Sequence, residues 1–224
     1  MTRIMSRQWF ETQRATSAPV PLTGSGPRPR RRQTLEECAK EDATLLEPSG
    51  PSGLVHSHWV SPATVVHIQQ EREPFYLACT AEAAGQMGRP CNRKVALVGA
   101  NSWQCPAGHS CPNPVARYVL RVQVADATGK AFLSVFDEVG QVLLGAPAAQ
   151  VKALWDARGA GDVDAGNQLE AIFTHACDQR HAMWIRSRRE EYDGSTQIRM
   201  CLEQCTQEDS AAEGVEMQAE WLSG

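Results

Sequence analysis

Hydrophobic and polar positions alternate most cleanly between residues 118 and 136. Tyr118, Leu120, Val122 and Val124 fall on one side of an extended chain, while Arg121 and Gln123 fall on the other. Period two is the signature of a half-buried strand. Asp126 to Lys130 (DATGK) supplies turn residues, and Ala131 to Phe136 (AFLSVF) returns as a partner strand. An earlier β-branched run, Ala63 to Ile68 (ATVVHI), reads as a first strand. Beyond the hairpin the period changes. Pro147 opens a helix with Val151, Leu154 and Trp155 on its apolar face, GAGDVDAG interrupts it, and Leu169, Ile172 and Phe173 resume helical spacing. MWIRSRREEY and TQIRMCL, joined by Asp193-Gly194, predict a second hairpin, and Asp209 to Leu222 predicts an amphipathic terminal helix carrying Val215, Met217 and Leu222.

The chain divides by composition as well as by period. Residues 1–33 are rich in Ser, Pro, Gly and Thr and end in a cluster of Arg28, Arg30, Arg31 and Arg32. Such a segment buries too little apolar surface to offset backbone ordering and reads as a solvated basic-ended arm. Thr34 and Glu37 form a capping box for a short helix to about Leu46, and EPSGPSG then spaces it from a folded domain expected over residues 54–206. Residues 207–224 are expected to carry the terminal helix.

The pattern of strand, insert, hairpin, helix and second hairpin predicts a mainly β fold. An OB-fold, a five-stranded Greek-key barrel with a helix between strands, fits that order. No apolar run approaches the roughly 20 residues that span a bilayer, so no membrane partner is expected. The opening residues do not have the pattern of a secretory signal peptide. The net charge of −4 argues against a grossly basic nucleic-acid binder but leaves a local basic groove open.

Interrupting the sheet pattern, residues 76–116 hold Cys79, Cys91, Cys105 and Cys111, with His109 beside the last. Thiolates and an imidazole in two knuckles suit one tetrahedral zinc ion, and four protein ligands leave no position for an activated water. The zinc expected here is therefore structural. The ligands cannot pack without the metal, so its binding energy becomes folding energy. Cys177, Cys201 and Cys205 with His175 and His181 read as small core residues rather than a second centre, and Cys38 has no evident partner. No HExxH motif, paired catalytic carboxylates or deaminase-type His-x-Glu is present, so no enzymatic activity and no catalytic residue is expected.

Several segments taken in order carry a resemblance: ATVVHI before YLAC, then CNRKV, WQC, ARYVLRVQVADATG, FLSVFDEVGQVLLG and EEYDGSTQIRM. Together they resemble the C-terminal DNA-binding domain of the replication protein A large subunit, from about Arg31 to Leu202. The resemblance implies a zinc-ribbon OB-fold that binds single-stranded DNA in replication, repair and recombination, in the nucleus, beside the middle and small subunits of a heterotrimer. It implies base stacking by Phe132, Phe136 and Tyr192. Two Phe residues four apart share a strand face, which is equally the pattern of a core strand. Lys94, Arg121, Arg186 and Arg199 are the candidate phosphate contacts.

The chain departs from the family pattern at two points. Eleven residues separate Cys79 from Cys91 where the family has two to four, and Gly108 stands where the second Cys-x-x-Cys would close. The fourth ligand is then Cys111 or His109, and Cys111 would preserve a four-thiolate set. Net acidity and the altered ribbon support a second reading, a zinc-stabilised module that joins partner subunits through the Asp209–Leu222 helix without strong DNA binding, although that helix is shorter than the one through which the family assembles its three subunits.

Overall fold

The computed structural model describes residues 31–47, 54–83, 85–99 and 102–208. The expected arm to residue 30, most of the spacer and the Asp209–Leu222 helix lie outside the described residues.

Five strands close a barrel: β1 (Val55–Ile68), β7 (Val115–Ala125), β8 (Lys130–Phe136), β9 (Arg180–Tyr192) and β10 (Ser195–Gln207). The order around it is β1-β9-β10-β8-β7, and β7 pairs back onto β1. All neighbours are antiparallel except β8 and β10, which run parallel with Cys201 opposite Ser134. That order and the parallel pair are those of an OB-fold barrel. The alternation in β7 does what its pattern predicts: Tyr118, Leu120, Val122 and Val124 are buried while Arg121 is exposed. β8 faces Leu133 and Val135 inward.

Between β1 and β7 runs the insert. β2 (Phe75–Ala78) pairs with β7, and two small hairpins follow: β3 (Glu82–Ala83) with β4 (Gln86–Pro90), and β5 (Ala96–Gly99) with β6 (Ser102–Gln104).

α1 (Leu35–Asp42) continues into a 3-10 turn, Ala43–Leu46. Its capping box forms: Thr34 Oγ1 accepts the Glu37 N–H at 3.3 Å, and the Glu37 carboxylate accepts the Thr34 N–H at 3.0 Å. The β7–β8 turn docks the same helix end. Asp126 Oδ2 accepts the Leu35 N–H at 2.7 Å and Thr128 Oγ1 accepts that of Glu36 at 3.1 Å. Two donors left free by the first helical turn are thereby satisfied from another element.

Three helices, not two, connect β8 to β9: α2 (Asp137–Leu144), α3 (Ala148–Gly159) and α4 (Val163–Ala176). The unexpected α2 carries Gly140 in its interior, a residue that weakens a helical pattern. Tyr118 requires it, because a Cβ at position 140 would lie 2.9 Å from the Tyr118 Cβ. Tyr118 is held there by its hydroxyl, which donates to the Ala146 carbonyl at 2.8 Å, and by its N–H, which donates to Asp137 Oδ1 at 3.1 Å. α4 begins four residues earlier than its apolar spacing implies, since Asp162 caps it by accepting the Ala165 N–H at 3.0 Å. Leu169, Ile172 and Phe173 of α4 join Leu143, Leu144 and Val151 in the barrel core, and Cys38 of α1 is buried in the same cluster.

Candidate nucleic-acid groove and metal centre

The outer face of β8 presents Phe132, Ser134 and Phe136, on the side opposite the core residues Leu133 and Val135. Phe132 is 40% exposed and Phe136 is 39% exposed, so neither belongs to the core. Arg121 of β7 lies over the Phe132 ring at 4.9 Å, and Arg199 of β10 over the Phe136 ring at 5.6 Å. Both distances are within the range of cation–π attraction. Val119 and Gln123, opposite Phe136 and Phe132 across the ladder, complete this patch. The strand register therefore sets each phenylalanine beside a guanidinium, an arrangement of flat apolar faces edged with positive charge.

The remaining cations differ in their surroundings. Arg186 is paired with Glu203 at 2.9 Å and Arg199 with Glu190 at 3.1 Å. Arg188 and Arg189 have Glu190 and Glu191 within 3.9 and 3.8 Å. No carboxylate pairs with Arg121 among the described residues. Lys94 is exposed and sits apart from these strands, in the insert, bridged to Ala78. Tyr192 ends β9 opposite Ser195, and its side chain lies outside the described structure. Glu190 and Glu203 are residues of this surface that the sequence motifs do not single out. Their signal is the strand period, since each alternates onto the same face as the arginine it neutralises.

The long interval between Cys79 and Cys91 is taken up by the β3–β4 hairpin. It folds back so that the Cys91 N–H donates to the Ala81 carbonyl at 2.7 Å and the Asn92 N–H to the Cys79 carbonyl at 3.0 Å. The β5–β6 hairpin then delivers a tight turn in which the Gly108 N–H donates to the Cys105 carbonyl at 2.9 Å. Gly108 adopts φ +82°, a left-handed conformation that glycine takes at little cost. The turn carries the chain past position 108 and sets His109 over the cysteines.

The ligand atoms of Cys79, Cys91, Cys105 and His109 all lie within 4.8 Å of one another. His109 Nδ1 is 3.8 Å from Cys79 Sγ. Cys111 is buried beside them but falls outside this tight set. Its sulfur accepts the Thr80 N–H at 3.4 Å and contacts the Thr80 hydroxyl at 3.4 Å. Burial pushes the Cys79 thiol up to about 11. Burial also opposes ionisation of Cys105, but the His109 and Ala107 N–H groups aimed at its sulfur hold its pKa below the ordinary thiol value. The Thr80 hydroxyl does the same for Cys111. Three thiols and an imidazole, converging in a small packed cluster with Val95, fit a tetrahedral zinc site in donor type and number. Cys177, Cys201 and Cys205 enter no metal-capable group among the described residues.

Comparison with known proteins places this architecture. The chain is 30% identical over 150 residues to a replication protein A 70 kDa DNA-binding subunit of Oryza sativa subsp. japonica, covering 65% of this chain and 15% of that protein. It is 25% identical over 202 residues to another 70 kDa DNA-binding subunit from the same organism, covering 86% of this chain and 27% of the relative. It thus spans about a quarter or less of these relatives. Among solved structures, a replication protein A heterotrimer bound to single-stranded DNA superposes with a TM-score of 0.66 at 27% identity, over 96% of this chain and 45% of the matched one. Yeast replication protein A bound to single-stranded DNA shares the fold, with a TM-score of 0.62 at 21% identity over 88% of this chain and 99% of the matched one. The model of the replication factor-A C-terminal domain matches residues 59–217, nearly the whole barrel with its insert, and the chain belongs to that family.

Proposed function

We propose that this chain binds single-stranded DNA, with bases stacking on Phe132 and Phe136 and with Tyr192 joining from the end of β9. Arg121, Arg199, Arg186 and Lys94 contact the phosphates. The observation that carries the reading is the pair of half-exposed phenylalanines on one face of β8, each overlaid by an arginine. Aromatic faces accept any base, so binding has little sequence preference, and each stacked base contributes about 1–3 kcal/mol. No reacting group is needed, and the chain works as a binding protein.

Zinc, held by Cys79, Cys91, Cys105 and His109, supplies a crosslink that fixes the two small hairpins to each other. Cys111 supports the same cluster through Thr80. The likeness to a heterotrimer bound to DNA supports the middle and small subunits of a replication protein A-like assembly as partners. It likewise supports a nuclear role in replication, with repair and recombination as further uses of the same strand-holding activity. The test is fluorescence polarisation of a labelled oligo-dT, long enough for several sites at about 4–16 nucleotides each, titrated with zinc-loaded protein. Saturable binding supports the reading.

A second reading has an observation of its own. The arginines of β9 and β10 are paired with glutamates, as suits a surface whose task is to join subunits rather than to hold phosphates. Protein that assembles with the partner subunits yet leaves oligo-dT free at low salt would establish it.

A further inference from the structure

A second convergence of metal-binding side chains lies where the end of α1 meets the first half of β1. Asp42 closes α1, and His56 and His58 stand two residues apart on β1, facing it. Asp42 and His58 are buried and His56 is 21% exposed. Asp42 Oδ1 lies 2.8 Å from His58 Nε2 and 3.0 Å from His56 Nδ1, and the three ligand atoms form one mutually close group. The two rings meet edge to face at 83°.

His58 Nδ1 faces Gln33 Oε1 at 3.3 Å and Glu41 Oε2 at 3.5 Å, and Nε2 faces Asp42 Oδ1 at 2.8 Å, so both ring nitrogens have an acceptor beside them. A neutral ring serves only one side: with the proton on Nε2 it donates to Asp42, and with the proton on Nδ1 it leaves Nε2 as a lone pair free to ligate. Two imidazole nitrogens crowd onto Asp42 Oδ1. Ser187 lies opposite His56 in the β1–β9 ladder and aims its hydroxyl at the same buried carboxylate. A cation at the point where the three atoms converge would take the place of the Nε2 proton and leave Nδ1–H for Gln33 and Glu41. It needs little movement, because two bonds of about 2.0–2.1 Å at the tetrahedral angle separate their donors by about 3.3 Å. The contact of His58 Nδ1 with Gln33 and Glu41 is the outer-shell bond that typically fixes the tautomer of a ligating histidine.

We propose that Asp42, His56 and His58 bind a divalent transition metal of the zinc class, clamping α1 to β1. Two imidazoles and one carboxylate suit zinc, cobalt or nickel better than calcium or magnesium. The site shares no residue with the cysteine cluster and does not depend on DNA binding.

Cobalt(II) titration of the metal-stripped full chain tests it. The cysteine cluster reports itself by thiolate-to-metal charge transfer; the Asp42 site gives ligand-field absorption without that band. The wild type is expected to take up two equivalents, one of each kind, and to melt at a higher temperature once the second is bound. His56→Gln, at the least buried of the three ligands, should lose the second equivalent and its melting shift while keeping the charge-transfer band. Asp42→Asn should do the same. A wild type that binds only the thiolate equivalent overturns the proposal. So does a second equivalent that survives both substitutions, or a metal-saturated protein whose His58 nitrogens are both protonated by nitrogen NMR, the mark of a plain imidazolium–carboxylate pair.

Discussion

Removing the Phe132 ring separates a stacking surface from a packing one. Phe132→Ala deletes an aromatic face that is 40% exposed and lies 4.9 Å from the Arg121 guanidinium. Stacking of one base is worth about 1–3 kcal/mol, so affinity for oligo-dT should fall about 5- to 160-fold. The stability cost is smaller than for a core phenylalanine. A buried Phe→Ala change costs about 3–5 kcal/mol including its cavity, whereas a half-exposed ring on an outer strand face leaves a gap that water fills, and about 1–2 kcal/mol is expected. Leu133→Ala, one residue along and pointing inward, reverses the pattern, with about 2–5 kcal/mol of stability lost. Its DNA affinity per folded molecule should hardly change.

The assay pairs polarisation titration with denaturant unfolding of the same preparations. Phe132→Leu sharpens the contrast, since it keeps apolar bulk on the strand but removes the flat π-face. It should retain stability to within about 1 kcal/mol and still bind weakly. If Phe132→Ala and Phe136→Ala both bind oligo-dT as the wild type does while remaining folded, β8 is not the stacking surface. The assembly reading then takes its place.

Other outcomes follow from the same contacts. Glu203→Gln releases Arg186 from its 2.9 Å pair; affinity should rise, and the salt slope of single-strand binding should steepen by about 0.7 for the added phosphate contact. His109→Ala should weaken zinc retention, as measured by competition with a chromogenic chelator, far more than Cys111→Ser, whose sulfur is already engaged by Thr80; the reverse order would make Cys111 the fourth ligand. Chelation of zinc should unfold the two insert hairpins first, seen as loss of their amide protection while β7 and β8 stay protected. Asp126 is held below the usual carboxylate range because hydrogen bonds from Leu35, Thr128 and Gly129 outweigh its burial. Its folded pKa is depressed, so its stabilisation is present above the unfolded value of about 3.9 and is lost as pH falls through the folded one. Asp126→Asn should therefore flatten the acid limb of a stability–pH profile and leave neutral pH destabilised by about 1–2 kcal/mol.

The parts of the fold that are legible in the sequence are those where inward positions are uniformly apolar. β7 and β8 satisfy that rule and are readable to within a few residues. β1 is visible only from Ala63, although it begins at Val55. The reason is chemical: its inward positions 56 and 58 are histidines while the apolar Val55 and Trp59 fall on the opposite face, so the first half shows no apolar inward stripe. β10 reads as ending at Leu202 because a register shift between Leu202 and Gln204 changes the parity of the alternation. α2 is hidden by Gly140, whose role is set by Tyr118, a residue distant in sequence. The phenylalanine pair is visible as a shared face, but its exposure depends on which side of β8 the helices pack. The choice between His109 and Cys111 depends on a turn at Gly108 and on Thr80, and spacing encodes neither.

The groove's two kinds of contact are not equal, and their difference predicts how it binds. Its cations on β9 and β10 are tied to Glu203 and Glu190 in partly exposed pairs. Such pairs are worth about 0–1 kcal/mol each, so a phosphate displaces a glutamate at small cost but also for small gain. The phenylalanine faces give up only an arginine contact of about 0.5–1 kcal/mol and accept a base worth about 1–3 kcal/mol. The guanidinium need not leave, because it can turn from the ring face to the phosphate linking the stacked bases. Stacking therefore dominates, and charge adjusts. An acidic chain can then hold single strands with a shallow salt dependence, whereas a binder that relied on unpaired lysines and arginines would lose its strand steeply as salt rises.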